Sequence, residues 1–251
     1  MELEIAQQGR TRLLTLNRPS ALNAFDPVLS RLVKTALEDA DRDSSVATVV
    51  LTGTGERAFC AGGDLKAMTT GSVDDNRVFS GITRADRSKP VIAAVNGLAY
   101  GGGFELVLSC DLVVAAEHAT FALREVSHGI IAAAGGLVRL SRHIGDKRAM
   151  DLALTGRPIT AETALSWGLV NDVVPAGRLL ETSLALAESI NRNAPLAVRA
   201  SRAVIEASAA FDEATAWRVN DEQNRFIAGT ADAAEGPSAF AQKRAPVWSG
   251  R

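Results

Sequence analysis

The 251-residue chain carries 27 Lys and Arg against 29 Asp and Glu, a formal net charge of -2. This balance offers no basic surface to nucleic acid or to an acidic membrane, so neither partner is expected. With 47% hydrophobic residues the chain can bury a large core. It has no signal-like start and no apolar run long enough to cross a bilayer, which predicts a cytoplasmic protein.

Short apolar runs separated by helical patterns predict an α/β domain with buried strands. The runs are residues 13–16, 46–52, 91–95, 112–115 and 169–174. After the first run, Asp26 is an expected helix N-cap with Pro27 at the first helical position. The apolar spacing that follows predicts an amphipathic helix returning to the second strand.

The last third of the chain has a different pattern. Residues 177–192, 196–209 and 212–227 show helical spacing, and no strand-like run follows Val174. We therefore expect an α/β core over residues 1–190 and a helical oligomerisation region over 191–251. Helices without a sheet bury little surface alone, which favours packing on a partner subunit. No internal repeat is visible in the sequence.

Residues 66–89 have weak periodicity and many small polar residues. The segment is either a mobile lid over a functional site or a plain surface connection.

The only cysteines, Cys60 and Cys110, are too few for a disulfide framework and lack metal-ligand spacing. Each is interpreted as a small core residue, since no histidine near Cys60 in the sequence supports a nucleophile.

The sequence has two glycine-rich loops, one directly after a predicted strand and one at the start of a predicted helix. The first, AFCAGGDLK, follows the strand ending VVLTG, and the second, YGGGFELVLSCD, places three glycines before a helical run. Glycines at these places can expose main-chain amides to a negative charge or to a polarised carbonyl oxygen. The alternative is that glycine only provides clearance for a closely packed helix. Neither loop matches a phosphate-binding or dinucleotide-binding pattern.

Two glutamates accompany these loops. Glu105 lies among apolar residues, where a buried carboxylate needs a partner or a shifted pKa. Glu125 precedes the small-residue stretch 132–136, although a single glutamate is more commonly a solvated surface charge. A carboxyl pair in an apolar cleft can divide the roles of acid and base.

These segments, together with LTGRPITAETALSWGLVNDVV and EGPSAFAQKR, closely resemble the enoyl-CoA hydratase (crotonase) family over nearly the whole chain. The resemblance implies a crotonase-like spiral of repeated ββα units with a helical C-terminal region. It also implies a homotrimer or a dimer of trimers. An acyl-CoA thioester is the implied substrate, with no metal and no redox cofactor.

The resemblance further implies the roles of particular residues. Main-chain amides of Gly63 and Gly102 would form an oxyanion hole for the thioester carbonyl. Glu105 and Glu125 would be catalytic, and family precedent assigns the proton donor to Glu125 and the water partner to Glu105. Positions that would contact CoA are Ala21, Ala24, Ala61, Asp64 and Leu65.

The implied reaction adds water across an α,β-unsaturated acyl-CoA to give a 3-hydroxyacyl-CoA. The chain departs from typical hydratases at Arg124 and at Ala133, where a glycine is usual near the catalytic water. Its C-terminus and the neighbourhood of His128 also look similar to carnitinyl-CoA dehydratases, and His128 itself is interpreted as a rim residue.

Three alternatives to hydration stay open: a carnitinyl-CoA-type dehydratase, an enoyl-CoA isomerase, and a non-catalytic acyl-CoA or RNA-binding homologue. Balanced charge argues against RNA, and the presence of both acids argues against a purely binding role.

Overall fold

The computed structural model describes residues 1–64 and 74–251, and for residues 74–78 it describes the main chain alone. The strands are β1 (Leu3–Gln8), β2 (Thr11–Leu16), β3 (Thr48–Gly53), β4 (Ala58–Cys60), β5 (Val91–Val95), β6 (Leu98–Tyr100), β7 (Leu112–Ala116), β8 (Thr120–Ala122), β9 (Ile159–Thr160) and β10 (Asp172–Val174). The helices are α1 (Pro27–Arg42), α2 (Asp74–Thr83), α3 (Gly102–Ser109), α4 (Gly136–Ile144), α5 (Asp146–Thr155), α6 (Ala161–Ser166), α7 (Leu179–Asn191), α8 (Pro195–Ala210), α9 (Glu213–Ala228) and α10 (Ala231–Ala241).

The larger sheet explains the continuous apolar runs in the sequence. In the described part of the chain its order is β1-β2-β3-β5-β7-β10, and all neighbours pair in parallel except β1 and β2. Along β5, Ile92 belongs to the apolar cluster that α7 covers, while Ala93 belongs to the main core on the opposite face. A strand buried on both faces has no polar positions, which is why these runs do not alternate.

The smaller sheet brings three separate chain segments side by side. Its order in the described residues is β4-β6-β8-β9, and β4, β6 and β8 run parallel. Each of these three strands follows a strand of the larger sheet, which gives a repeated ββα arrangement. The carboxyl ends of β4, β6 and β8 therefore lie at one edge, at Cys60, Tyr100 and Ala122.

The start of α1 confirms the predicted cap. The Asp26 carboxylate accepts a hydrogen bond from the Leu29 amide at 2.8 Å, and Pro27 occupies the first helical position. Leu29, Val33 and Leu37 are buried along one face, as the amphipathic spacing predicts. Together with the parallel sheets and the C-terminal helices, this confirms the predicted α/β class with a helical C-terminal region.

The C-terminal region begins where α7 leaves the large sheet. Buried Asn191 joins that sheet through hydrogen bonds to Thr48 (2.7 Å) and Thr11 (2.9 Å). The helices α8, α9 and α10 follow, and α10 was not predicted. The division of the chain at residue 190 stays a prediction.

The structure differs from the sequence interpretation in further places, including the unpredicted strands β1, β4, β6 and β9. The segment 66–89 is helical from Asp74 to Thr83, so from residue 74 it is not a simple loop. Its Ile82 is buried and Phe79 packs against the core, an apolar pair too short for periodicity to reveal. The helices between residues 136 and 166 were also missed.

Among the described residues, none of the helices has the length and hydropathy of a membrane span.

Candidate active site

The glycine triplet opens α3 directly after β6. Gly101 is the N-cap at φ 54°, a conformation that favours glycine, and its amide donates to Ala122 O at 2.8 Å. A methyl group on Gly103 would overlap the carbonyl of Cys60, so glycine there also provides clearance. The clearance interpretation therefore holds at Gly103, and the interpretation of the triplet as a source of exposed amides stays a prediction.

Two amides at this edge of the small sheet are free to bind a ligand. Phe25 bridges the loop after β4, donating to Gly62 O (2.8 Å) and accepting from the Asp64 amide (2.8 Å), and this pattern does not use the Gly63 amide. Gly102 is the first residue of α3, where an amide has no partner in its own helix. Within residues 1–64 and 74–251, neither amide donates a hydrogen bond.

The two glycine loops are in contact. A methyl group built on Gly62 would lie 3.1 Å from the Gly102 nitrogen, and one on Gly102 would lie 3.6 Å from Gly62 Cα. The Phe79 ring covers Gly102 and stacks edge-on with Phe25 at a centroid distance of 4.9 Å. An apolar wall thus lies next to the Gly102 amide, which strengthens any electrostatic interaction made there.

Glu105, in the first turn of α3, is only 4% exposed. Its Oε1 accepts a hydrogen bond from the Gly136 amide at 2.8 Å. Burial raises the pKa of Glu105 to about 7, against the lowering effects of the Gly136 amide and, more weakly, of the Ala134 amide. The charge of Glu125 contributes to the same rise.

Glu125 begins a 3-10 helix, Glu125–His128, just after β8. Its Oε2 is buried and has no hydrogen-bond partner among the described residues. Its Oε1 would lie 3.1 Å from a methyl group on Gly101, the residue whose carbonyl accepts the Glu105 amide. Burial raises the pKa of Glu125, while its own main-chain amide and the charge of His128 lower it. The structure thus brings together Gly63, Gly102, Glu105 and Glu125.

The residues implied to contact CoA lie on two adjoining loops. Ala21 ends the 3-10 helix Pro19–Ala21 and Ala24 is buried beyond it, while the Ala61 amide donates to Leu22 O at 3.0 Å. Asp64 pairs with Arg18 at 3.2 Å. Leu65 lies outside the described residues. These assignments stay predictions.

The sequence did not reveal which main-chain group holds the Glu105 carboxylate. Gly136 lies in a small-residue stretch that was noted without a role, and its partner Glu105 is 31 positions away. His128 is exposed and its Nδ1 lies 3.1 Å from Arg124 O and from Ser127 Oγ. It lies at the edge of the site.

The cysteines are poor nucleophiles in this environment. Burial raises the pKa of both Cys60 and Cys110 to about 12, so the thiolate is scarce near neutrality. In the described part of the chain, no group of three or more His, Cys, Asp or Glu residues is arranged to hold a metal ion.

The family model described as enoyl-CoA hydratase/isomerase matches residues 7–251. The chain belongs to the enoyl-CoA hydratase/isomerase family. A carnitinyl-CoA dehydratase of Salmonella typhi is 40% identical, covering 99% of this chain and 98% of that protein. The crystal structure of an enoyl-CoA hydratase from Mycobacterium tuberculosis H37Rv has a TM-score of 0.94 and 40% identity, covering 100% and 99% of the two chains.

A carnitinyl-CoA hydratase structure from Mycobacterium avium has a TM-score of 0.78 and 44% identity, with the same coverage of 100% and 99%. These similarities confirm the crotonase-like fold. Because relatives with different names share this level of identity, membership in the enoyl-CoA hydratase/isomerase family leaves the acyl group open.

Proposed function

We propose that this protein is an enoyl-CoA hydratase that adds water across the 2,3 double bond of an α,β-unsaturated acyl-CoA. The observation that supports this most is the pair of carboxyl groups, Glu105 and Glu125, beside the free amides of Gly63 and Gly102. Hydration needs these parts together: donors for the thioester oxygen, a base for water and an acid for carbon.

In the proposed reaction the amides of Gly63 and Gly102 polarise the thioester carbonyl. One carboxylate takes a proton from water as the water oxygen bonds to C3, and the π electrons move toward C2 and the thioester oxygen. The other carboxyl group delivers its proton to C2. The pair ends with as many protons as it began with, and we assign the donor to Glu125 and the base to Glu105.

Raised pKa values support a proton-donating role for one member of this pair. A carboxyl group must keep a proton near neutrality to act as an acid, and burial favours the protonated form of both groups. The buried Oε2 of Glu125, which lacks a hydrogen-bond partner among the described residues, is available to a substrate. The chemistry requires no metal or redox cofactor, so treatment with a chelator should leave turnover unchanged.

Crotonyl-CoA tests the proposal through the absorbance of its conjugated thioester, which disappears on hydration. Glu105→Gln and Glu125→Gln should each abolish the loss while retaining CoA thioester binding. Turnover that persists in either variant would remove that residue from the mechanism.

A carnitinyl-CoA-type dehydratase is the second candidate, favoured by the 40% identity to the Salmonella typhi protein over nearly the whole chain. It would use the same two acids on a trimethylammonium-bearing acyl group. A comparison of kcat/KM for crotonyl-CoA and carnitinyl-CoA decides between them.

An isomerase that shifts a double bond would need Glu125 alone, so Glu105→Gln would leave its activity in place.

We also propose that the protein forms a homotrimer or a dimer of trimers. Exposed apolar side chains on α8, α9 and α10 support an oligomer, including Ile205 (69% exposed) and Phe240 (88%). Sedimentation of the purified protein would test this, and a monomer would contradict it.

A further inference from the structure

The end of α2 is bonded to the loop that holds Glu105. Thr83 is buried, and its Oγ1 donates to Ala134 O at 2.6 Å. The next residue, Arg84, is exposed and its Nη2 donates to Ala133 O at 3.2 Å. The last residue of α2 and the residue after it therefore bond two consecutive carbonyls of the loop.

The same loop turns the Gly136 amide toward Glu105. This amide lies two residues beyond the Ala134 carbonyl that accepts from Thr83, and it donates to Glu105 Oε1 at 2.8 Å. Hydrogen bonds to the two consecutive carbonyls fix the main chain that leads to the Gly136 amide. Thr83 and Arg84 thus act on Glu105 through the main chain of residues 133–136.

A third hydrogen bond closes the connection from the other side. Arg139 on α4 donates from Nη2 to Thr83 O at 2.5 Å. Thr83 therefore bonds both the start of the loop 134–136 and the helix that follows it. The charged groups that face Glu105 are Glu125, from the 3-10 helix after β8, and Arg139 itself.

Helix α2 also contacts the second glycine loop, which carries the triplet. Phe79, one turn before Thr83, lies against Gly102. One short helix thus touches both the residue whose amide is proposed to bind the thioester and the loop that orients the proposed base.

We propose that Thr83 and Arg84 are positioning residues that hold the loop 133–136 in place, and with it the Gly136 amide on Glu105, and thereby set the orientation and proton affinity of that carboxyl group. This deepens the proposed hydratase function and rests on it for its catalytic meaning. The geometric part concerns the folded protein alone, so it can be measured without turnover.

Infrared titration of the protonated carboxyl band, with the Glu105→Gln spectrum subtracted, isolates the ionisation of Glu105. Thr83→Val keeps the volume but cannot donate, and Arg84→Met keeps the chain length but removes the donor. Both should move the Glu105 titration upward by about half a unit or more, because a displaced Gly136 amide stabilises the ionised carboxylate less. Thr83→Ser, which restores a hydroxyl, should titrate like the unsubstituted protein.

Arg178→Met provides a matched control, since this exposed arginine pairs with Glu181 near α7 and is not bonded to the loop 132–136. It should leave the titration unchanged. Arg84 is exposed, so Arg84→Met tests the proposal even if Thr83→Val does not fold. Wild-type titration of Glu105 in folded Arg84→Met would overturn the role of Arg84, and the same result in folded Thr83→Val would overturn that of Thr83.

Kinetics separate this proposal from the proposed function. If crotonyl-CoA is hydrated, the pH profile of kcat should shift upward in Thr83→Val and return in Thr83→Ser. If no enoyl-CoA is turned over while the infrared shifts appear, the proposed function fails and the positioning role stands.

Discussion

The Gly136 amide nitrogen lies 2.8 Å from Oε1 of Glu105, at the start of a helix 31 positions further along the chain. Because Gly136 approaches so closely, its missing side chain is part of how the carboxyl group is placed. A methyl group there would lie 2.9 Å from Glu105 Cγ and 3.2 Å from Ala132 Cβ.

Gly136→Ala should therefore displace Glu105 and lower kcat by about 10- to 100-fold, since small misplacements of reacting groups have effects of that size. The measurement is hydration of crotonyl-CoA by the folded variant. Gly177→Ala is the control, because a methyl group there meets no atom within 4 Å. Full activity in Gly136→Ala would show that the site tolerates the displacement.

Replacing Glu105 should stabilise the protein at alkaline pH. Its pKa is about 7 in the folded state against 4.5 ordinarily, so the unfolded chain ionises first and stability falls as pH rises from 4.5 to 7. Glu105→Gln removes this effect and should add about 1–3 kcal/mol to the free energy of unfolding at pH 8, with little change at pH 4. The sign follows because the ionised carboxylate is less favourable in the folded protein than in the unfolded chain.

Denaturant unfolding at both pH values measures the effect. Glu188→Gln, on the exposed side of α7, should change stability little at either pH. An equal gain for Glu105→Gln at pH 4 and pH 8 would mean that ionisation is not the cause.

Turnover should have a bell-shaped dependence on pH, because hydration needs one proton on the pair Glu105 and Glu125. Activity is lost at low pH, where both groups are protonated, and again at high pH, where both are ionised. Burial raises the pKa of both groups, and one limb should lie near the value of about 7 for Glu105. Initial rates with saturating crotonyl-CoA between pH 5 and pH 10 test this, and a flat profile would contradict it.

Arg18 should affect binding more than chemistry. Its guanidinium contacts Asp26 (3.1 Å), Asp64 (3.2 Å) and Ala24 O (2.5 Å), joining α1 to the two loops expected to receive CoA. Arg18→Met should raise KM several-fold and leave kcat within about twofold, as loss of uniform binding does. Arg178→Met is the matched surface control. A fall in kcat at unchanged KM would place Arg18 in the chemical step instead.

The longer elements were predictable because their patterns are local. The run 91–95 coincides with β5, and the cap at Asp26 begins α1 where an acceptor side chain and a following proline favour a helix start. Glu105 was recognised as unusual from its apolar neighbours alone, and the structure finds it buried.

The assembly of the site was not predictable in the same way. The strands β4, β6 and β8 have three residues each, too few for a periodic pattern, yet they align the segments that carry Gly63, Gly102 and Glu125. The Gly136 amide and the Thr83 hydroxyl reach the site through tertiary contacts. The roles of the four predicted residues came from family resemblance and stay predictions until the variants are measured.

The parallel trio of short strands has a consequence for insertions into the chain. Each strand delivers one segment to the common edge, and the intervening chain differs in length, with β3, β5 and β7 beginning at residues 48, 91 and 112. An insertion between two of these strands should therefore change one of the three segments at the edge and leave the alignment of the other two unchanged.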